Sequence, residues 1–438
     1  MRKTIQLTAL ILTVGLTSQT GGCAISDDDG NGTDPGADGG KDTHSSADED
    51  TVTSSPSDDP DSENATDSET TTEGDSDTTY GEIVASYIWI ANSEEGSVSK
   101  IDTRELMELG RYWVRPDHEG SPSRTSVNLD GDVAVAARTG GITKFYADTK
   151  KCQDTNGQPD IQTSSGGSEI LPWETEECRA WHTPFNYTSM RALAWTSDGK
   201  LWASGSTGTA ESSVLEVVLL NGDTGAVEKT VVLDTADVTA GSHGHGGYGG
   251  VVDRENNFWI VQIYDQKLIK VSYSNFSYEI FAEPTRVYGV SLDEKGRIWT
   301  CNTHVAYFDP ATSSWSSPML VSSDAPFYGL AGGCMSDGNG LLWVSVYDTL
   351  YAVDINSYSI VDTITNLPPP TDSTTVTDSF WGVAIDGDGY LWTIPRYGNV
   401  AYKIDPETHN YETVTGLAGA YTYSDMTGFL LQISLPPV

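Results

Sequence analysis

The chain has 438 residues, with 63 acidic against 24 basic side chains and a formal net charge of −39. That balance excludes nucleic acid as a partner, because phosphate recognition needs a basic face. A 37% hydrophobic and 10% aromatic content excludes a wholly disordered chain. The acid is unevenly spread: residues 24–80 hold 18 Asp or Glu against one base, Lys41, yet residues 81–438 remain acidic by 24 charges.

Arg2 and Lys3 precede an apolar stretch, Leu7 to Leu16, and Gly21-Gly22-Cys23 follows. Ten apolar residues are too short to span a bilayer and suit the core of a signal peptide. Small residues directly before a Cys resemble a bacterial lipoprotein signal, although Thr20 stands where that family usually has Leu. The resemblance implies a signal peptide over 1–22 and acylation of Cys23. With Ala24 rather than Asp after the Cys, it also implies the outer membrane or cell surface, reached through the lipid anchor only. Residues 23–80 then form the lipidated Cys and a disordered Ser/Thr/Asp-rich tether, since like charges repel and almost nothing apolar offsets chain entropy.

Four cysteines remain, and an exported chain meets an oxidising compartment, which predicts two disulfides. Three connectivities exist. Sequence neighbours close the cheapest loops, favouring Cys152–Cys178 and Cys301–Cys334.

From about residue 85 a repeat appears: a polar turn, a residue, an apolar residue, then Trp. DEKGRIW reaches Trp299, SDGNGLLW Trp343 and DGDGYLW Trp392. SDGKLW (Trp202) and RENNFW (Trp259) are variants, SYIW keeps Trp89, and VNLDGDVA puts Ala134 at the same place. The seven copies are spaced by 45, 68, 57, 40, 44 and 49 residues, the scale of a propeller or stacked array. Each copy reads as four strands. An alternating strand such as YGVSLD leads into the turn, the Trp strand follows, and a third often ends in apolar-Asp (Asp102, Asp309, Asp354, Asp405). The fourth strand is ragged. These features predict an all-β, seven-bladed β-propeller of four-stranded blades over residues 81–438, with a disulfide-stapled insertion at about 148–188. The first copy lacks its leading strand, and the alternating segment Met426–Ser434 lacks a Trp strand. The C-terminal strand is therefore expected to complete blade one and close the ring, leaving no open edge and predicting a monomer.

The pattern YGVSLDEKGRIW…VAYFDPATSSW resembles the repeat of streptogramin (virginiamycin B) lyases and NHL-like propellers. The resemblance covers residues 85–438. It implies the fold, together with a His/Glu site and a magnesium ion for ester elimination. This chain departs at those places. The His position holds Arg191, Tyr248, Tyr288, Tyr328 and Trp381, and the position three after Trp holds Asn92, Gly205, Gln262, Asn302, Val346 and Pro395, none acidic. No lyase site residue carries over.

Loops before the inner strands and after the Trp strands share one face of a propeller. This groups Arg124, His182, Arg191, His243, His245, Tyr248, Tyr288, Tyr328, Trp381 and Asp425 with Arg138, Asp265, His304, Asp348 and Arg396. Aromatic area with directed Arg and His donors points to a mouth that binds a small molecule, peptide or protein, with Arg138, Arg191, Tyr248, Tyr288, His304, Tyr328, Trp381 and Arg396 as ligand contacts. The alternative is an exported metal-assisted lyase or hydrolase using His182, His243, His245 and Asp425. A divalent cation, magnesium or calcium, is the cofactor that reading admits. Its ligand candidates are His243 and His245 in GSHGHGGYGG, and Asp154, Asn156 and Asp160 in the insertion. The latter run fits the EF-type pattern poorly, with Gln158 and Pro159 at positions five and six and Ser165 at twelve.

Overall fold

The computed structural model describes residues 86–208, 212–241, 244–323, 331–365, 367–368 and 379–435. The expectations for Cys23, the tether, His243 and Tyr328 lie outside them. The described chain is all-β and built from antiparallel meanders. Four-stranded sheets begin at Pro122, Ser189, Gly249 and Cys334, and another begins at Gly289, whose third strand, His304–Asp309, also pairs with Met319–Leu320. A seven-stranded sheet joins Phe380–Ile385, Leu391–Pro395, Gly398–Ile404 and Tyr411–Ala420 to Tyr87–Asn92, Ser97–Asp102 and Met107–Trp113. First strands of successive sheets lie against one another, so their starts converge at one end of a shared axis.

The repeat has a physical cause six residues before six of its seven Trp positions, Ile83 standing before the seventh, Trp89. Asp293 Oδ1 accepts the N–H groups of Lys295 (3.0 Å) and Arg297 (2.9 Å), while Oδ2 accepts Trp299 Nε1 (2.7 Å). Asp253 and Asp386 repeat this, reaching Trp259 Nε1 at 2.7 Å and Trp392 Nε1 at 2.8 Å. Asp337 and Asn128 hold the two turn amides only, and Thr196 Oγ1 holds Lys200 N–H. For two indoles the neighbouring sheet supplies the acceptor: Trp89 Nε1 donates to Gly131 O and Trp202 Nε1 to Asn256 O. All of these Trp rings are buried, so each indole N–H needs its acceptor.

Both expected disulfides are present. Cys152–Cys178 staples the insertion and Cys301–Cys334 ties two adjacent sheets together. The expected strand at Met426–Ser434 is corrected. Phe429–Ser434 is a short α-helix burying Leu430, Leu431 and Ile433, because Gly428 at φ 85° turns the chain out of the extended conformation. The segment just upstream is the one that meets the first sheet. Tyr421 N–H donates to Ala91 O (3.0 Å), Trp89 N–H to Met426 O (2.9 Å) and Ser93 N–H to Gly419 O (3.1 Å). Its other flank meets Phe380–Ile385, where a Cβ at Gly382 would strike the Thr422 carbonyl.

Asp293→Ala leaves an indole N–H, two turn amides and the Arg297 guanidinium without their buried acceptor. A loss of about 3–5 kcal/mol in urea unfolding is expected. Asp337→Ala, which releases two amides only, should cost clearly less; equal losses would contradict the role given to the indole bond.

Candidate functional site

Tyr248 and Tyr288 stand immediately before their first strands, Trp381 is the second residue of its strand, and Tyr421 and Tyr423 come from the segment beside Tyr87–Asn92. Together they form one buried aromatic cluster at the converging end, with Tyr264 and Tyr397 half-buried against it. The hydroxyls meet. Tyr288 and Tyr421 are 2.8 Å apart, Tyr248 and Tyr421 3.2 Å, and Tyr248 donates to Tyr288 at 3.4 Å. The Trp381 indole also donates to the Tyr288 oxygen.

Four guanidiniums lie against these rings. Arg124 sits 3.2 Å from the Tyr423 centroid and 4.8 Å from that of Tyr248, and Arg191 is 5.1 Å from the same Tyr248 centroid. Arg138 lies 4.4 Å from Tyr421, and Arg396 5.0 Å from Trp381. Desolvation offsets much of any one such contact, but several cations around one set of rings raise the local potential. Burial pushes the Arg124 guanidinium down to about 9, with Arg191 adding like-charge repulsion, and so leaves it charged at neutral pH. Burial also raises the Tyr248 and Tyr288 phenols. At Tyr421 burial acts the same way, but Arg138, Arg124 and Arg191 outweigh it and hold this phenol below the ordinary value.

The structure brings Arg124, Arg138, Arg191, Arg396, Tyr248, Tyr288 and Trp381 into this hub. The individual rings are not open anchors: Tyr288 is fully buried and Trp381 only 2% exposed. His245 lies at the hub's margin, its ring 5.7 Å from Tyr248 and 6.1 Å from Tyr264. His304 is half-buried, with Nδ1 3.2 Å from Thr303 Oγ1, and belongs to a third strand. Two expected members are elsewhere. His182 belongs to the outer strand Arg179–Thr183, bonded to Thr143 Oγ1 at 2.8 Å and edge-on to Trp173; burial, with Arg115 and Arg179, lowers it to about 4, so it is neutral at pH 7. Asp425 turns toward the opposite end, bordering a space with Val251, Leu430 and Leu431, and accepts Gly428 N–H at 2.8 Å. The sequence reading put both at the mouth because it took the outer strand and the closing segment in the wrong positions.

The insertion's candidate ligands are committed to its own backbone. Asp154 Oδ1 accepts from Asn156 and Gly157, and Asn156 Oδ1 accepts from Gln158, while Asp160 is exposed. Glu177 organises the loop through Thr155 and Gln162. Among the described residues no three His, Cys, Asp or Glu converge as a metal site. Tyr421 and Tyr423 were the members sequence reasoning missed. Their signal was the alternation Tyr421-Thr-Tyr423-Ser-Asp425 after the last outer strand.

No family model matches the chain, and no curated protein matches it. Among solved structures it is similar to a streptogramin B lyase, at 12% identity over 70% of this chain and 86% of that one, with a TM-score of 0.50. It is also similar to a functionally unknown protein from Desulfotomaculum acetoxidans DSM 771, at 11% identity over 77% and 99%, with a TM-score of 0.53. These similarities show the β-propeller fold.

Burial raises the Asp425 carboxyl to about 7 despite hydrogen bonds from the Gly428, Thr427, Leu430 and Leu431 backbone. A folded value above the ordinary 3.8 means the proton is held more tightly when folded. Its stabilising contribution is full below about pH 4 and lost as pH rises through about 7. Asp425→Asn should flatten the stability-against-pH curve across that window. Parallel curves for variant and parent in chemical unfolding would refute this.

Proposed function

We propose that the chain is an exported lipoprotein whose β-propeller binds a small molecule, peptide or protein at its mouth without transforming it. The observation that carries the reading is the hub itself: four arginines held against aromatic rings where the first strands converge. Such rings supply apolar area and such guanidiniums supply direction, the combination that dominates recognition sites.

In this reading seven four-stranded blades close into a ring, and residues 419–426 serve as the inner strand of the first blade. The bonds from Trp89, Ser93 and Tyr421 support that closure. A ring without an open edge suits a monomer held off the membrane by the acidic 24–80 segment. The two disulfides are compatible with export. Among the described residues no helix is long and apolar enough to cross a membrane, so Cys23 is the proposed anchor.

Buried hub rings are poor probes, because a large aromatic cut to Ala costs about 3–5 kcal/mol of stability. The rim separates binding from folding. Native mass spectrometry of the chain against a mixed library of small acids and tripeptides should detect capture and no conversion. The double variant Tyr264→Ala with Tyr397→Ala should reduce that capture at unchanged melting temperature. Conversion of a library member, or capture indifferent to both changes, would overturn the reading. For the anchor, Cys23→Ser should move the protein from the membrane to the soluble fraction; unchanged fractionation would refute it.

A further inference from the structure

The domain treats its arginines in two ways. Arg104 is bound to Asp388 at 2.7 Å, Arg111 to Glu108 at 2.7 Å and Arg297 to Asp293 at 2.6 Å, and Arg115 is paired with Asp117. In a chain with such an excess of carboxylates, pairing is the expected outcome. Among the described residues Arg179 and Arg254 also lack an ion pair but are half-buried or exposed, whereas Arg124 and Arg191 are buried. Among the described residues neither has a carboxylate within ion-pair distance, although Arg124 is fully buried and Arg191 is 5% exposed. Both lie against the ring of Tyr248, near enough for each to repel the other's charge. Each also holds a buried N–H group without an acceptor, Arg124 Nη2 and Arg191 Nε.

Two like charges beside one ring, each with an unused donor, are costly to bury unless a counter-charge arrives. Arg124 already uses Nε on the Tyr248 carbonyl and Nη1 on the Ser123 carbonyl, which fixes its plane and leaves Nη2 as the directed donor. Beside it lies a small space bordered by Tyr423, Ser424, Gly249, Gly250 and Leu430.

We propose that Arg124 and Arg191 form an oxyanion site: a carboxylate or phosphate group of the mouth's ligand seats on Arg124 Nη2 and Arg191 Nε beside the Tyr248 ring. This rests on the binding reading above and names the chemistry of what is bound. Guanidinium is the group suited to it, because its fork matches both anions and stays charged when desolvated. A neutral ligand would leave the charge uncompensated.

The test is calorimetric titration of the full chain with sodium phosphate and, separately, sodium acetate, at constant ionic strength. Saturable binding of at least one anion is expected, and preference between them identifies a phosphate or a carboxylate as the ligand's group. Arg191→Met should weaken that binding about tenfold or more, the scale of a charge-assisted hydrogen bond, while Arg104→Met should leave it unchanged. If Arg191→Met fails to fold, the parent protein still decides the matter through tyrosinate absorbance against pH. A bound anion in the hub disfavours a phenolate there, so phosphate should move tyrosine ionisation upward. No saturable binding of either anion, equal losses in the two Arg variants, or an ionisation indifferent to phosphate would overturn the proposal. Tripeptide capture that persists while neither anion binds would sink the oxyanion site and leave the binding reading standing.

Discussion

The fold hangs on a side-chain acceptor placed six residues before the Trp position in each of the six described sheets. The turn between the first and second strands of a sheet reverses the chain in four residues and leaves its amides facing inward. A carboxylate at the turn's start collects two of them and, in three sheets, the indole of the next strand as well. One residue therefore fixes the turn, the strand register and the orientation of the largest core side chain. The cost is desolvation, visible where burial raises the Asp337 and Asp386 carboxyls. Asn128 and Thr196 do the turn half of the task without charge, and the indoles of Trp89 and Trp202 bond instead to an adjacent sheet.

That clamp lies at one end of each sheet and leaves the other end free to vary. Where the first strands begin, the chain places large rings and long cations instead of turn-formers. The rings fill the axis, their hydroxyls satisfy one another, and the guanidiniums stack on their faces. The helix Phe429–Ser434 covers the opposite end with Leu430, Leu431 and Ile433. The axis is thus apolar at one end and cationic-aromatic at the other. This asymmetry gives the molecule one chemically distinctive face despite its large negative charge.

The repeat was legible because its clamp obeys a fixed spacing, and the disulfides were legible because each joins cysteines adjacent in sequence. Arg124, Arg191, Tyr248, Tyr288 and Trp381 were legible as a group because the repeat itself puts them at strand starts. The C-terminus was not. FLLQIS carries apolar residues at spacings that suit a strand or a helix, and a run this short does not discriminate. Placing the strand there hid Tyr421 and Tyr423 and put Asp425 at the wrong end. His182 misled for a different reason: the insertion delays its sheet's last strand, so a residue that looked like a loop before an inner strand belongs to an outer one. Nor does sequence reveal that two arginines in an acid-rich chain go without carboxylates, because pairing depends on which side chains reach one another.

The proposed oxyanion would sit in a positively charged hub lined by tyrosines and tryptophan. The most direct measurement is a crystal structure of the chain soaked in selenate, whose selenium gives an anomalous signal. The account predicts an anomalous peak within hydrogen-bond reach of Arg124 Nη2 and Arg191 Nε, beside the Tyr248 ring. Ordered water there with no anomalous peak, or a carboxylate of the chain itself against both guanidiniums, would contradict it.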